Sequence, residues 1–354
     1  ASPVALLASE STERWDWSRI ASDFAGHNYG DGFRNARLSY HQDRLGIYTA
    51  LAFAGISPDI VIERDLTADV LKQYKVLYLV GDSLPAEVVP TIEQWVRDGG
   101  VLMATAGAGM NDIYGQRQDA YDKLFGLSSR TVEERDRFMR TSQEVPFLKV
   151  IEQVKIDLPG LAVSPESFPA LALHERIKGG EIDAERLVRA TFADGSPAAY
   201  EHSLGNGSVI YMATLPGLAY LYTGLTTPRI EVPDRAAGAH RAVNTYDPAA
   251  ESLILHAVRV ADVPAPVQSS QAYVDARLLV SKDGRTFMLP VSNYHANVGQ
   301  DVSFTITPPQ GAGKPVKVTS AFAGELPVKV ADGVWTFTVP KLGYGDMVRI
   351  DTGP

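Results

Sequence analysis

The chain has 354 residues, 33 basic and 42 acidic side chains and a net charge of −9, with hydrophobic and charged fractions of 45% and 21%, near the globular norm. It contains no cysteine, which excludes disulfides, thiolate metal sites, iron–sulfur clusters and a cysteine nucleophile. The acidic balance gives no electrostatic grip on nucleic acid or an anionic membrane, and no apolar run approaches the roughly 20 residues of a membrane span.

At about 150 residues per domain, the length suggests two domains. The start at Ala1-Ser2-Pro3 points to a processed or excerpted chain. It leaves the compartment open and suits an extracellular or periplasmic protein better than a cytoplasmic one.

The first 220 residues alternate short apolar runs with helical patterns, as a parallel sheet with crossover helices does. Val4–Ala8 predicts a strand buried on both faces. Leu45, Tyr48, Ala52 and Phe53 fall at helical spacing before Gly55. A strand at Ile60–Ile62 follows, then a short helix with Thr67 as its N-cap. Val76–Val80 and Val101–Ala104 read as strands flanking a helix over Pro85–Asp98, whose inward face is Val88, Ile92, Trp95 and Val96. This spacing predicts a flavodoxin-like half-sheet.

Residues 113–187 are less regular, and Arg130–Arg140 reads as a solvated helix or an excursion outside the sheet. Leu187–Thr191, Pro197–Tyr200 and Ser208–Met212, with Gly205-Asn206-Gly207 between the last two, predict an antiparallel ending to the sheet. Pro248–Val260 reads as one amphipathic helix and Pro264–Ser270 as a linker. Beyond it, short strands with turns at Asp283-Gly284 and Asp332-Gly333 predict a β-sandwich. The expected fold class is therefore an α/β domain over residues 1–262 followed by a small all-β sandwich over 271–354.

Ligands of open α/β sheets sit outside the carboxyl ends of the strands. That rule selects Ser9, Glu10, Glu63, Asp82, Ser83 and the stretch Gly107–Asp112. Glu10, Glu63, Asp82 and Asp112 could form an acid/base pair, with His41 facing the same edge, or a divalent-metal site, or cap the following helices. Ser83 lacks the second glycine of a nucleophile elbow and reads as an N-cap. Gly107-Ala108-Gly109 lacks the rest of a phosphate-binding fingerprint and reads as a tight turn. No two of the seven histidines lie at i, i+3 or i, i+4, so no helical metal pair is present, and no metal or cofactor is expected. Trp15 and Trp17 stand in a polar, non-periodic stretch, suited to stacking on a sugar or to plugging a loop. Ser83 and Asn111 complete the candidate substrate-binding set.

Val4–Trp17, Arg44–Asp65, Tyr74–Leu79, Trp95–Leu102, Gly109–Asp112 and Leu124–Leu127 resemble the trimerisation domain of family-42 β-galactosidases, a glutamine-amidotransferase-like α/β module. Gly195–Ala198 with Gly205–Tyr211 is similar to its closing hairpin, and Leu289–Tyr294 with Ala323–Glu325 to the small β-domain that ends those enzymes. Their catalytic (β/α)₈ barrel, about 250 residues, has no counterpart among these segments. The amidotransferase cysteine is also missing, since Thr105-Ala106-Gly107 stands at that turn. The resemblance implies a non-catalytic assembly or accessory region, a homo-oligomer (a trimer) or a separate catalytic domain as partner, and a carbohydrate as the ligand to expect. A stand-alone carbohydrate-binding protein and a hydrolase using the strand-end carboxylates remain the alternatives.

Overall fold

The computed structural model describes residues 2–16, 39–135, 150–161, 163–180, 185–226, 245–295 and 297–353. They form two compact units: Ala1–Ala50 with Pro58–Val263, and Leu51–Ser57 with Pro264–Pro354.

The first unit is built on a nine-stranded sheet. Its strands are β1 (Val4–Leu7), β2 (Asp59–Val61), β3 (Val76–Leu79), β4 (Val101–Ala104), β6 (Val150–Ile156), β7 (Ser167–Leu171), β9 (Arg186–Phe192), β10 (Pro197–Leu204) and β11 (Gly207–Met212). β5 (Leu127–Arg135) and β8 (Leu173–Gly179) form a separate antiparallel ribbon. The order in the large sheet is β2-β1-β3-β4-β11-β10-β9-β6-β7. β2, β1, β3, β4 and β11 run parallel, and the rest are added antiparallel. β1, β3 and β4 are buried at every position, which is why they read as unbroken apolar runs.

The helix Ser39–Phe53 turns inward a face shifted from the one its apolar spacing predicts. Of the expected residues Ala52 is buried, Tyr48 and Phe53 are half-buried and Leu45 is 44% exposed, while Tyr40, Asp43, Ile47, Ala50 and Leu51 are buried as well. The reason is a close approach to the helix Pro216–Thr226: a Cβ on Gly46 would lie 1.9 Å from the Gly217 carbonyl oxygen. Only glycine permits that contact, so the buried face follows Gly46 and Asp43 rather than the larger side chains.

Thr67 caps the helix Ala68–Leu71 as expected, accepting the Val70 N–H. The helix expected over Pro85–Asp98 is a 3₁₀ turn, Ala86–Val88, leading into Val89–Arg97; Ile92, Trp95 and Val96 are buried as expected, but Val89 is buried in place of Val88. Neither Asp82 nor Ser83 caps it; Pro85 holds the position before the turn. The expected helix Pro248–Val260 is broken at Leu255 into Pro248–Ile254 and His256–Val260, and its cap is Asp247, whose carboxylate accepts the Ala249 and Ala250 N–H groups. The Tyr78 hydroxyl donates to the Ile254 carbonyl at 2.8 Å and fastens this helix to β3.

The region expected to be a solvated helix or excursion begins instead as β5, and residues 136–140 lie outside the description. Arg130 points inward there, because its guanidinium meets the buried partners described below. The hairpin between β10 and β11 turns on Gly205-Asn206, with Gly205 at φ +63°, the arrangement that places glycine first in a two-residue turn.

In the second unit two antiparallel sheets, one of four strands and one of six, share a single apolar core. Phe287, Phe304, Trp335 and Phe337 fill it. Asp332 and Gly333 both take positive φ, as a two-residue hairpin turn of the primed kind requires. The expected linker is not slack: Val267–Ser269 is an edge strand paired with Gly299–Ile306.

Candidate functional site

The carboxyl ends of β1, β2, β3 and β4 gather the sequence-selected residues, and backbone bonding shows what each one holds. Residues 10–16 are helical. Glu63, just beyond β2, reaches the start of that segment: one carboxylate oxygen accepts the Glu10 N–H and the other the Ser11 N–H, both at 2.9 Å. A carboxylate at a helix N-terminus satisfies otherwise unpaired donors and meets the positive end of the helix dipole. Ser9 adds to the same knot, its hydroxyl 2.7 Å from Glu63 Oε1 and 2.8 Å from Thr12 Oγ1. The Glu10 side chain is half-buried and lies 3.9 Å from the Arg64 guanidinium.

Asp82 and Ser83 are both fully buried, and the Ser83 hydroxyl donates to Asp82 Oδ1 at 3.1 Å. Their backbone zips onto the next loop, with Asn111 N–H donating to Asp82 O and Leu84 N–H to Asn111 O. Asp112 closes the turn that follows, accepting the N–H groups of Tyr114 and Gln116 at 2.9 Å. Trp15 is half-buried over that turn: its indole N–H donates to the Ile113 carbonyl, and its ring sits 3.0 Å from where a Cβ on Gly115 would be. Trp17 lies outside the described residues. His41 is exposed and 3.1 Å from Arg44, which is paired with Glu13. Partial burial and then the Arg44 charge depress the His41 pKa, with Glu13 opposing.

The structure thus brings Ser9, Glu10 and Glu63 together and stitches Asp82 and Ser83 to Asn111. Gly107 and Gly109, at φ +79° and +59°, make the close turn expected of them: added Cβ atoms would strike the Tyr40 hydroxyl and the Tyr121 ring.

Behind that turn lies a polar cluster that sequence reasoning missed. Arg130 donates to the Ala108 carbonyl at 2.7 Å and the Tyr211 hydroxyl at 3.1 Å, with Asp122 2.8 Å from its Nε. Tyr211 donates in turn to Glu175 through a short bond. Phe125 stacks on Tyr211 at 4.8 Å, and the guanidinium lies over both rings. Burial raises the Glu175 pKa, against the pull of Arg130 and the Tyr211 hydrogen bond. Burial lowers that of Arg130, but Tyr211, Glu175 and Asp122 outweigh it and the net shift is upward.

Asp43 is the second missed group. Its Oδ1 accepts the Gly217 N–H at 2.7 Å and the Leu218 N–H at 3.2 Å. Burial pushes its carboxyl up to about 7, although those amides and the Thr105 hydroxyl favour the charged form. The trace it leaves in the sequence is an acid and a glycine, Asp43 and Gly46, three positions apart in a helical stretch. Among the described residues no group of three or more His, Asp or Glu is placed to hold a metal ion.

No protein-family model matches this sequence, and no curated protein sequence does. Solved structures do match in fold. A catalytic mutant of a GH42 β-galactosidase from G. stearothermophilus aligns with 99% of this chain and 40% of its own at a TM-score of 0.59 and 14% identity. A cold-adapted β-galactosidase from Rahnella sp. R3 covers 99% of this chain and 41% of its own, at 0.58 and 20%. An α-L-fucosidase isoenzyme from Paenibacillus thiaminolyticus covers 100% and 49%, at 0.57 and 17%. The chain therefore spans between two-fifths and half the length of these proteins, and at such identities the likeness is one of fold.

Proposed function

We propose that these residues form a non-catalytic assembly or accessory region of a carbohydrate-active, β-galactosidase-like enzyme. The observation that carries the reading is the commitment of three of the four sheet-edge acids. Glu63 holds a helix start, Asp82 sits buried with Ser83, and Asp112 closes a turn. Glycoside hydrolysis asks for two carboxyl groups flanking an open cleft, one protonated and one charged. Acids bound to backbone amides, or buried against a neighbouring hydroxyl, are poorly disposed for either role.

The β2-β1-β3-β4-β11 parallel order supports a flavodoxin-like, amidotransferase-like domain over about residues 1–262. The paired antiparallel sheets support a separate sandwich over 271–354. Full coverage of this chain against two-fifths of the β-galactosidases supports a partner, either further copies of this chain (a trimer) or a catalytic domain. Trp15 is the residue through which the edge would touch a sugar.

The test is mass and turnover together. Light scattering is expected to find a multimer, with no hydrolysis of aryl galactosides above background. A strict monomer at high concentration that fails to bind a barrel domain overturns the assembly role. Hydrolysis abolished by Glu10→Gln overturns the non-catalytic one.

A further inference from the structure

Three neighbouring strands of the second unit end side by side. Thr286–Asn293 pairs with Gly345–Thr352, which pairs in turn with Pro315–Ser320. The Asn293 N–H donates to the Tyr344 carbonyl at 2.8 Å and the Ala321 N–H to the Met347 carbonyl at 3.0 Å, so the turns beyond these strands share one end of the sheet. Each turn carries an aromatic ring: Tyr294, Tyr344 and Phe322 are 53%, 98% and 81% exposed. Tyr344 and Phe322 are the most exposed large apolar side chains among the described residues.

Single exposed apolar residues are ordinary on a protein surface. These differ in how they are held. Under Phe322, the buried Asp346 accepts the Ser320 hydroxyl at 2.6 Å and the Ala321 N–H at 3.1 Å. Ser320 Oγ then accepts the Phe322 and Ala323 N–H groups at 3.1 and 2.8 Å. Beside Tyr344, the Asn293 amide donates to the Gly343 carbonyl at 2.9 Å, and its oxygen accepts the His295 N–H at 3.0 Å. Tyr294 rests against Phe53, with ring centroids 5.5 Å apart. The turns are thus fixed in advance, and a ligand need not supply the free energy of ordering them.

The surroundings of the rings select the ligand. Ala321 and Ala323 flank Phe322, and Gly343 and Gly345 flank Tyr344, so the chain neighbours leave the ring faces open. Residues 294–297, 321–323 and 343–344 include no Asp, Glu, Lys or Arg, which suits an uncharged ligand. With strands about 4.8 Å apart, the row crosses about 10 Å, room for linked sugars rather than one. A protein partner is met by anchors packed at the centre of a continuous apolar patch. Separate open rings suit pyranoses, which set an apolar face on each aromatic and leave their hydroxyls in water.

We propose that this end of the second unit binds a neutral oligosaccharide chain, with Tyr294, Tyr344 and Phe322 each against one sugar ring. The choice of a sugar rests on the carbohydrate reading above; the row of open aromatic rings does not.

Titration calorimetry on the whole chain with galactose, β-1,4-galactotetraose and cellotetraose tests it. At least one tetraose is expected to bind, about tenfold or more tighter than galactose, which can cover only one aromatic ring. Tyr344→Ala and Phe322→Ala, both on exposed side chains, should each weaken that binding by about tenfold. No binding of either tetraose, galactose binding as tightly, or indifference to both variants overturns the proposal. Binding that is lost in Trp15→Ala and kept in both ring variants belongs to the sheet edge of the first unit and overturns it as well. A mass that falls in the double variant, with no tetraose bound, makes the rings a protein contact and has the same consequence. The assembly reading survives each of these results, because it stands on the mass and turnover of the unaltered chain.

Discussion

The two units solve the same packing problem with different interiors. The first buries Asp43, Asp82, Arg130 and Glu175 among its apolar side chains. The core of the second is aromatic and aliphatic throughout, and its buried Asp346 bonds the Ser320 hydroxyl and the N–H groups of Ala321 and Met347. Apolar contact is indifferent to pH and forgiving of small volume changes. Buried charge is neither, because each ion leans on a particular partner. The first unit should therefore respond more strongly than the second to single charge changes and to pH.

The largest effect should come from Arg130→Ala. The substitution leaves Glu175 and Asp122 facing a void without their cation, and breaking a buried pair in this way costs about 3–5 kcal/mol. Urea unfolding, read for each unit by hydrogen exchange, should show the loss in the first unit alone. The companion variant Arg130→Met with Glu175→Leu and Asp122→Asn removes all three charges and should recover much of it. A loss below about 1 kcal/mol would mean that the guanidinium is a bystander.

Asp43 sharpens the contrast through pH. Its carboxyl stands at 3.8 ordinarily and at about 7 in the fold, so the folded state holds a proton that the unfolded chain has released. Stability from this group is complete below the unfolded value and is lost as pH rises through the folded one. The span corresponds to about 4 kcal/mol at most, since each pH unit is worth about 1.4 kcal/mol. Asp43→Asn keeps an oxygen for the Gly217 and Leu218 amides and removes the titration. Between about pH 5 and pH 8 the parent should lose stability relative to this variant. Parallel profiles would break the argument.

The same contrast explains what could be read in the sequence. β1, β3 and β4 were legible because a strand covered on both faces must be apolar at every position. So was the apolar face of Val89–Arg97, and so were the turns at Asp283-Gly284 and Asp332-Gly333. Asp43 was hidden because hydrophobic spacing seeks apolar residues, and the helix Ser39–Phe53 turns an acid and a glycine inward. Arg130 was hidden for a related reason: Leu127–Arg135 carries charge where a strand pattern would show a buried apolar residue. At the sheet edge, residue types and places were legible, but not their bonds. Glu63 binds amides more than 50 positions away in the chain, a contact that exists only once β1 and β2 are paired.

The smallest effect belongs to the second unit and tests the other side of the comparison. Ile306 is fully buried between the edge strand at Val267 and Trp335 of the facing strand. Ile306→Val removes one methylene group and should cost about 0.5–1.5 kcal/mol. Because no ionisable group changes its surroundings, the cost should be the same at about pH 5 and pH 8. A pH-dependent cost would place a titrating contact among the apolar side chains around Ile306, and the division between an interior rich in buried charge and one with little of it would then fail.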